Sequence, residues 1–194
     1  MTERRLPHLY VIDQPLFVTF RLFGSLPANR AFPRSKLTSG QAFVAMDRLL
    51  DTARSGPMFL KQPEVAQLVL DSIDYGAEIS HYQLHAFVIM SNHVHLLLRP
   101  HITASKLLCS LKTSTARKAN LLLRRTGAPF WQNERYDHLV RNGEEFSRIQ
   151  RYIDWNPINA SLVISPEQYP WSSAGRPERP PEAERLPHFT FPPQ

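Results

Sequence analysis

The stretch Phe87-Val88-Ile89-Met90-Ser91-Asn92-His93-Val94-His95-Leu96-Leu97-Leu98 decides how this chain folds. Two apolar runs, each long enough for a buried strand, flank a Ser-Asn break. That is the pattern of a hairpin whose strands are covered on most of both faces. The first strand is expected over Tyr82 to Met90 and the second over His93 to Arg99, closed by Pro100. Side chains alternate along a strand, so His93 and His95 share one face and Val94 takes the other. Two imidazoles at i and i+2 on a central strand can converge on one metal ion. An isolated His-x-His is more often a core histidine beside a surface one, so the neighbours have to decide.

Upstream, Pro15 to Phe23 reads as a strand with Leu16, Val18, Phe20 and Leu22 on one face. Its other face, Phe17, Thr19, Arg21 and Phe23, mixes aromatics with a cation, as does a surface that stacks bases and holds phosphates. The same mixture also suits a face covered by another element. A helix follows a Thr38 or Ser39 cap, carries Phe43, Met46, Leu49, Leu50 and Ala53, and stops at Gly56-Pro57. Another starts near Pro63 with Val65, Leu68, Val69 and Ile73 as its buried stripe. Both helices read as structural, with no chemistry of their own.

Downstream, Ile102 to Arg125 reads as one long helix. Leu108, Leu111, Thr115 and Leu122 form its apolar stripe, and Lys106, Arg117 and Arg124 stack almost opposite. Such a ridge can track a phosphate backbone, although a solvated helix face looks the same. Phe130 to Arg141 alternates as a strand, Asn142-Gly143 turns it, and a last helix carries Phe146, Ile149 and Ile153, with Tyr152 and Asn156 at i and i+4. Pro157 is expected to block its continuation. The Pro-rich segment 176–194 lacks apolar periodicity and is expected to be a flexible tail to a domain spanning 1–175. The order predicts an α+β fold with an antiparallel sheet of about four strands, helices packed on one face and the histidines on the other.

Composition sets the outer bounds. A chain of 194 residues with 42% hydrophobic residues can build a real core, and no apolar run approaches the roughly 18 residues of a membrane span. The N-terminus lacks the apolar stretch of a signal peptide. A single cysteine, Cys109, excludes an internal disulfide framework and a cysteine-rich zinc site, and a cytoplasmic protein is expected. The formal charge of +6 favours a polyanionic partner if the cations line one surface.

Two neutral imidazoles that hold a metal need an oxygen-donating third ligand and an open position for substrate. Asn156 can supply that oxygen, and Tyr152, one turn earlier, then projects toward the same ion. A phenol of pKa near 10 is a poor nucleophile until a base or a metal-polarised electrophile assists it. Taken alone, Tyr152 is an amphipathic core residue and Asn156-Pro157 a helix stop.

Six ordered segments change those odds. Arg5-Leu6-Pro7-His8, Phe17 to Arg21, Met90 to Leu97, Phe130-Trp131-Gln132, Tyr136 to Arg141 and Tyr152 to Pro157 together resemble the single-tyrosine HUH transposases, and more specifically the bacterial REP-associated tyrosine transposases. Tyr169 to Ser173 is similar as well, so the resemblance covers about residues 4 to 174. Ser91 stands where the family usually has proline, which touches nothing catalytic. The resemblance implies a ferredoxin-like HUH endonuclease fold with the metal site on its open face. It implies His93 and His95 as ligands of Mg2+ or Mn2+, Asn156 as the third ligand and Tyr152 as nucleophile. The implied reaction is attack on single-stranded DNA beside a REP-like hairpin, leaving a 5′-phosphotyrosine and a free 3′-hydroxyl. Such a protein acts at the bacterial nucleoid, as a monomer rather than the dimer of insertion-sequence relatives.

DNA is expected to lie over Arg21, Lys106, Arg117 and Arg124, with Phe17, Trp131 or Tyr136 for stacking. Tyr136 is a rival nucleophile because it precedes Asp137-His138. The base for Tyr152 stays open among water, His138 and the metal. Two other readings compete: a small-substrate metallohydrolase, disfavoured because Leu96-Leu97-Leu98 offers no further ligand, and a non-catalytic single-stranded nucleic-acid-binding module.

Overall fold

The computed structural model describes residues 12–26, 39–53 and 55–176, and of residues 39–42 the backbone only. The Arg5 to His8 segment and the expected tail beyond Arg176 lie outside the described residues. In chain order the elements are β1 (Leu16–Arg21), α1 (Ser39–Asp51), α2 (Pro63–Glu78), β2 (Tyr82–Ile89), β3 (His93–Pro100), α3 (Ala104–Leu122), β4 (Tyr136–Leu139) and α4 (Gly143–Asn159). The strands form one antiparallel sheet in the order β2-β3-β1-β4. Strands 1 to 4 with α2 and α3 as crossovers make the split βαβ arrangement of a ferredoxin-like fold.

Period-two patterning sets both faces. Leu16, Val18, Phe20 and Leu22 of β1 join Val94, Leu96 and Leu98 of β3 in a core closed by Val65, Val69 and Ile73 of α2 and Leu107, Leu108 and Leu111 of α3. Gly76 is required on α2, because a Cβ there would come within 2.6 Å of the Tyr82 ring. The α3 stripe continues from Thr115 to buried Ala119 rather than to Leu122, which is 49% exposed. The helix ends at Leu122, and Arg124 follows with φ +55° in the left-handed region.

The α+β class and the four-stranded sheet are as expected. The expected single layer of helices holds for α2 and α3, but α1 and α4 lie over the opposite face, which is therefore covered. The physical reason is visible in β1, β2 and β3. That face carries Phe17, Ala86, Val88 and Leu97, which build a second core with Phe43 of α1 and Phe146 and Ile153 of α4. Burying that apolar area at about 25 cal/mol per Å² favours a lid over an exposed surface.

Two boundaries also differ. The strand expected over Phe130 to Arg141 shortens to Tyr136–Leu139, while Trp131 makes only an isolated bridge to Leu22. Asn142 caps α4 by accepting from the Glu145 amide at 2.9 Å. Pro157 does not stop α4, which runs to Asn159 with Pro157 buried in its last turn. There the missing N–H costs one hydrogen bond close to the end of the ladder. Past α4, Ile89 donates to the Trp171 carbonyl and Ser173 to that of Phe87, so segment 169–173 runs as a strap along the end of β2. Arg176 closes it with two hydrogen bonds to Asp74, of 2.6 and 2.8 Å.

Candidate metal and nucleophile site

His93 and His95 sit where the β3 alternation places them, facing α1 and α4, and both are fully buried. A loop residue and the adjacent strand engage the second nitrogen of each ring. Asn92 donates through Nδ2 to the Leu50 carbonyl (2.9 Å), which turns its Oδ1 toward His93 Nδ1 at 2.7 Å. His93 therefore carries its proton on Nδ1 and a lone pair on Nε2. On the adjacent strand, Thr19 pairs with His95 in register, and its Oγ1 lies 2.7 Å from His95 Nδ1. That hydroxyl can hold the matching tautomer of His95. Such partners on the outer nitrogen are the usual support of metal-ligating imidazoles.

The two Nε2 atoms approach to 3.1 Å. Asp47 of α1 joins them, its Oδ1 at 3.2 Å from His95 Nε2 and 3.5 Å from His93 Nε2. Adjacent donors on one small divalent ion with bonds of about 2.1 Å lie about 3 Å apart, so three atoms separated by 3.1, 3.2 and 3.5 Å are close enough to share an ion. Asp47, His93 and His95 can hold a metal ion. Three buried oxygens of the residues gathered here, Asp47 Oδ1, Asp51 Oδ1 and Asn156 Oδ1, have no hydrogen-bond partner. Leaving such groups unmatched is costly, and a cation is one means of matching them.

Electrostatics favour the same species. Burial, reinforced by His95 and only partly opposed by Asp47, pushes His93 down to about 3, which keeps the imidazole neutral and ligand-ready. Burial acts against the charge of Asp47, but His95, His93 and the Asn156 donor outweigh it and hold the carboxylate below its usual range. Asp51, one turn further along α1, is pushed up to about 7 by burial and then by Asp47. Its Oδ1 lies 3.8 Å from His93 Nε2, and it lines a cleft of about 170 Å³ with Asn92, His93 and Lys61.

Helix α4 brings the remaining pair. The Tyr152 hydroxyl donates to Asp47 Oδ2, and Asn156, one turn later, donates to the same oxygen through Nδ2 at 3.3 Å. The Tyr152 ring stands edge-on to His95 with centroids 5.7 Å apart. His93, His95, Tyr152 and Asn156 thus meet around one carboxylate. Tyr136, the rival, stacks instead on Phe43 at 4.3 Å. His138 spends Nε2 on Glu145 at 3.0 Å.

Asp47 is the residue that sequence reasoning missed, on a helix expected to offer no chemistry. One signal was present: it falls four residues after Phe43 and three before Leu50, in line with the buried stripe. A carboxylate there has to be matched by something.

The expected DNA contacts separate into two groups. Lys106, Arg117 and Arg124 are exposed, the first two on α3 and the third in the turn after it. Arg21 is half-buried, 3.3 Å from Ser25 Oγ and 3.9 Å from Glu134. Tyr136 is half-buried against Phe43. Trp131 offers no stacking surface: it is 6% exposed, packs edge-on to Phe20 at 4.8 Å and donates Nε1 to Thr115 Oγ1 at 2.8 Å. Its neighbour Phe130 shares the same core, so the apolar indole follows it inward. Phe17 is buried too, stacked on the His95 ring at 5.7 Å.

Comparison with known proteins bears on the family and the fold. The profile of the family described as "Transposase IS200 like" matches residues 57–156, just over half of the chain. Among solved structures, a REP-associated tyrosine transposase bound to a REP hairpin is similar with a TM-score of 0.56 and 16% identity. That likeness spans 89% of this chain and 82% of that one, and it concerns the fold. A chain from Deinococcus radiodurans R1 described as a candidate transposase has a TM-score of 0.43 and 18% identity over 78% of this chain and 97% of that one. No curated protein matches the chain by sequence. Among the described residues no helix is long and apolar enough to cross a membrane. The matched span carries His93, His95, Tyr152 and Asn156 on β3 and α4 of a ferredoxin-like sheet, and the chain belongs to the IS200-like transposase family.

Proposed function

We propose that this transposase is a metal-dependent single-stranded DNA endonuclease and strand transferase with Tyr152 as its nucleophile. The observation that carries the reading is the convergence of four groups. The Tyr152 hydroxyl and the Asn156 amide, one turn apart on α4, reach the same carboxylate that faces the paired Nε2 atoms of β3. His93, His95, Asn156 and Asp47 are the residues that would hold a divalent ion, Mg2+ or Mn2+. When bound there, such an ion supplies Lewis acidity to the scissile phosphate.

The chain's own residues supply the rest. The Tyr152 oxygen, giving up its proton to water, forms a bond to phosphorus as the bond from phosphorus to the 3′-oxygen breaks, and that oxygen takes up a proton, leaving a 5′-phosphotyrosine and a free 3′-hydroxyl. Rejoining is the reverse attack by a 3′-hydroxyl. Phe17, Phe43 and His95 fix the Tyr152 ring edge-on at 5.7 to 6.2 Å, so the phenol is pre-oriented. Lys106, Arg117 and Arg124 would carry the phosphate backbone of a hairpin flanking the cleaved strand. All the groups of the site come from one chain, which supports action as a monomer, and the place of action is the bacterial nucleoid.

The test is incubation of the protein with REP-type hairpin DNA and Mn2+, followed by denaturing electrophoresis. A denaturant-resistant adduct is expected from wild type and none from Tyr152→Phe. DNA binding without an adduct in wild type would favour a non-catalytic binding module instead.

A further inference from the structure

We propose that Asp47 is a positioning residue that couples the metal ion to the nucleophile, one carboxylate oxygen serving each. The inference rests on the tyrosine-nucleophile reading and deepens it. Asp47 Oδ2 accepts from both the Tyr152 hydroxyl and Asn156 Nδ2, whereas Oδ1 has no hydrogen-bond partner and faces His95 Nε2 at 3.2 Å and His93 Nε2 at 3.5 Å. No other described side chain touches both the phenol and the imidazole pair in this way. The carboxylate is also held rigidly. Asp47 is 1% exposed between Phe43 and Leu50, and the Leu50 carbonyl is tied by Asn92, the residue that orients His93. Helix α1 is thereby registered against the start of β3, and Asp47 has little freedom to turn toward one partner at the expense of the other.

The family profile begins at residue 57, after α1 has ended. His93, His95, Tyr152 and Asn156 belong to the matched span, and Asp47 does not. The coupling is carried by the helix that covers this face of the sheet. Its consequence is that an ion at Oδ1 is felt by the phenol at Oδ2 through a single rigid group, before any DNA arrives.

The full chain, without DNA, tests this in two measurements. Mn2+ affinity is read by electron paramagnetic resonance, and the Tyr152 resonance by NMR of protein labelled with [13Cζ]tyrosine, assigned by its loss in Tyr152→Phe. In wild type, saturating Mg2+ should shift the Tyr152 resonance. Asp47→Asn should weaken Mn2+ binding by about tenfold or more and abolish that shift, while Tyr152→Phe keeps Mn2+ affinity near wild type. Unchanged Mn2+ affinity in folded Asp47→Asn would overturn the proposal. So would a Tyr152 resonance indifferent to Mg2+ in wild type, a result that needs no variant to fold. Failure here with the DNA adduct intact leaves the nuclease reading standing, and coupling without an adduct does the reverse.

Discussion

Asn92 Oδ1 lies 2.7 Å from His93 Nδ1, so a loop residue dictates which nitrogen of its sequence neighbour faces the site. Asn92→Ala should lower Mn2+ affinity by about 10- to 100-fold, because the imidazole loses the partner that sets its tautomer. The Leu50 carbonyl loses its donor as well, at about 1–3 kcal/mol of stability. Isothermal titration and thermal melts measure the two effects. A lowered melting temperature at unchanged Mn2+ affinity would reduce Asn92 to a tether for α1.

The sheet was legible in advance because a period of two is hard to counterfeit: Leu16, Val18, Phe20 and Leu22 stand where alternation put them. His93 and His95 share a face by the same rule and Tyr152 and Asn156 by helical spacing, but only the resemblance to the tyrosine transposases singled out the last two as site residues. The lid was not legible. Phe17 looked as well suited to a base-stacking platform as to a covered face, and nothing local says that Phe43 and the last helix will cover it. Asp47 was hidden for the same reason, since a carboxylate on a helix declares itself a ligand only once the partner strand is in place. Trp131 misled because an indole reads alike as a stacking plate and as a core filler until Thr115 meets its N–H.

Trp131→Phe accordingly probes stability rather than recognition. It should cost about 1–3 kcal/mol in chemical denaturation through the lost Nε1 to Thr115 bond and a smaller ring. Affinity for single-stranded DNA should stay within about twofold. A large loss of DNA affinity at unchanged stability would return the ring to the nucleic-acid surface.

The exposed cations make a separable prediction. Replacing Lys106, Arg117 and Arg124 together by Ala should reduce the slope of log affinity against log salt by about 2, at about 0.7 per single-strand phosphate contact. Adduct formation at saturating DNA should persist. An unchanged slope in a fluorescence-anisotropy salt titration would make the ridge an ordinary solvated face.

Acid should loosen the metal-free protein. Burial, and then Arg99, lowers His85 to about 4, and burial lowers His93 to about 3, both from 6.5. The unfolded chain therefore binds the protons more readily, so stability is present above pH 6.5 and falls as pH drops toward 4. His85 alone accounts for at most about 3.5 kcal/mol at about 1.4 kcal/mol per unit. Thermal melts in chelator from pH 7.5 to 4.5 should show the decline, with a shallower slope in His85→Gln. Asp51, raised to about 7, works in the opposite sense, so the test is the difference between the two profiles, and identical profiles would mean that His85 titrates as if in water.

Gly175 sits where a Cβ would lie 2.0 Å from the Tyr169 carbonyl oxygen, a backbone atom that cannot step aside. Gly175→Ala should detach the strap, and hydrogen exchange should quicken at the Ile89 and Ser173 amides, which donate to Trp171 and Phe87. Unaltered exchange at both amides would show that the turn re-forms around the added methyl.

That strap has a consequence for assembly. A bare outer strand invites a sister molecule to add its own, and the sheet then grows from copy to copy. By spending Trp171, Ser172 and Ser173 on residues 87–89, the chain occupies the donors and acceptors that such an intruder would need. Pairing between copies is thereby blocked at the 87–89 end of β2, beside the histidine hairpin, and is left to the rest of that edge, to the helices or to the four-residue margin at β4.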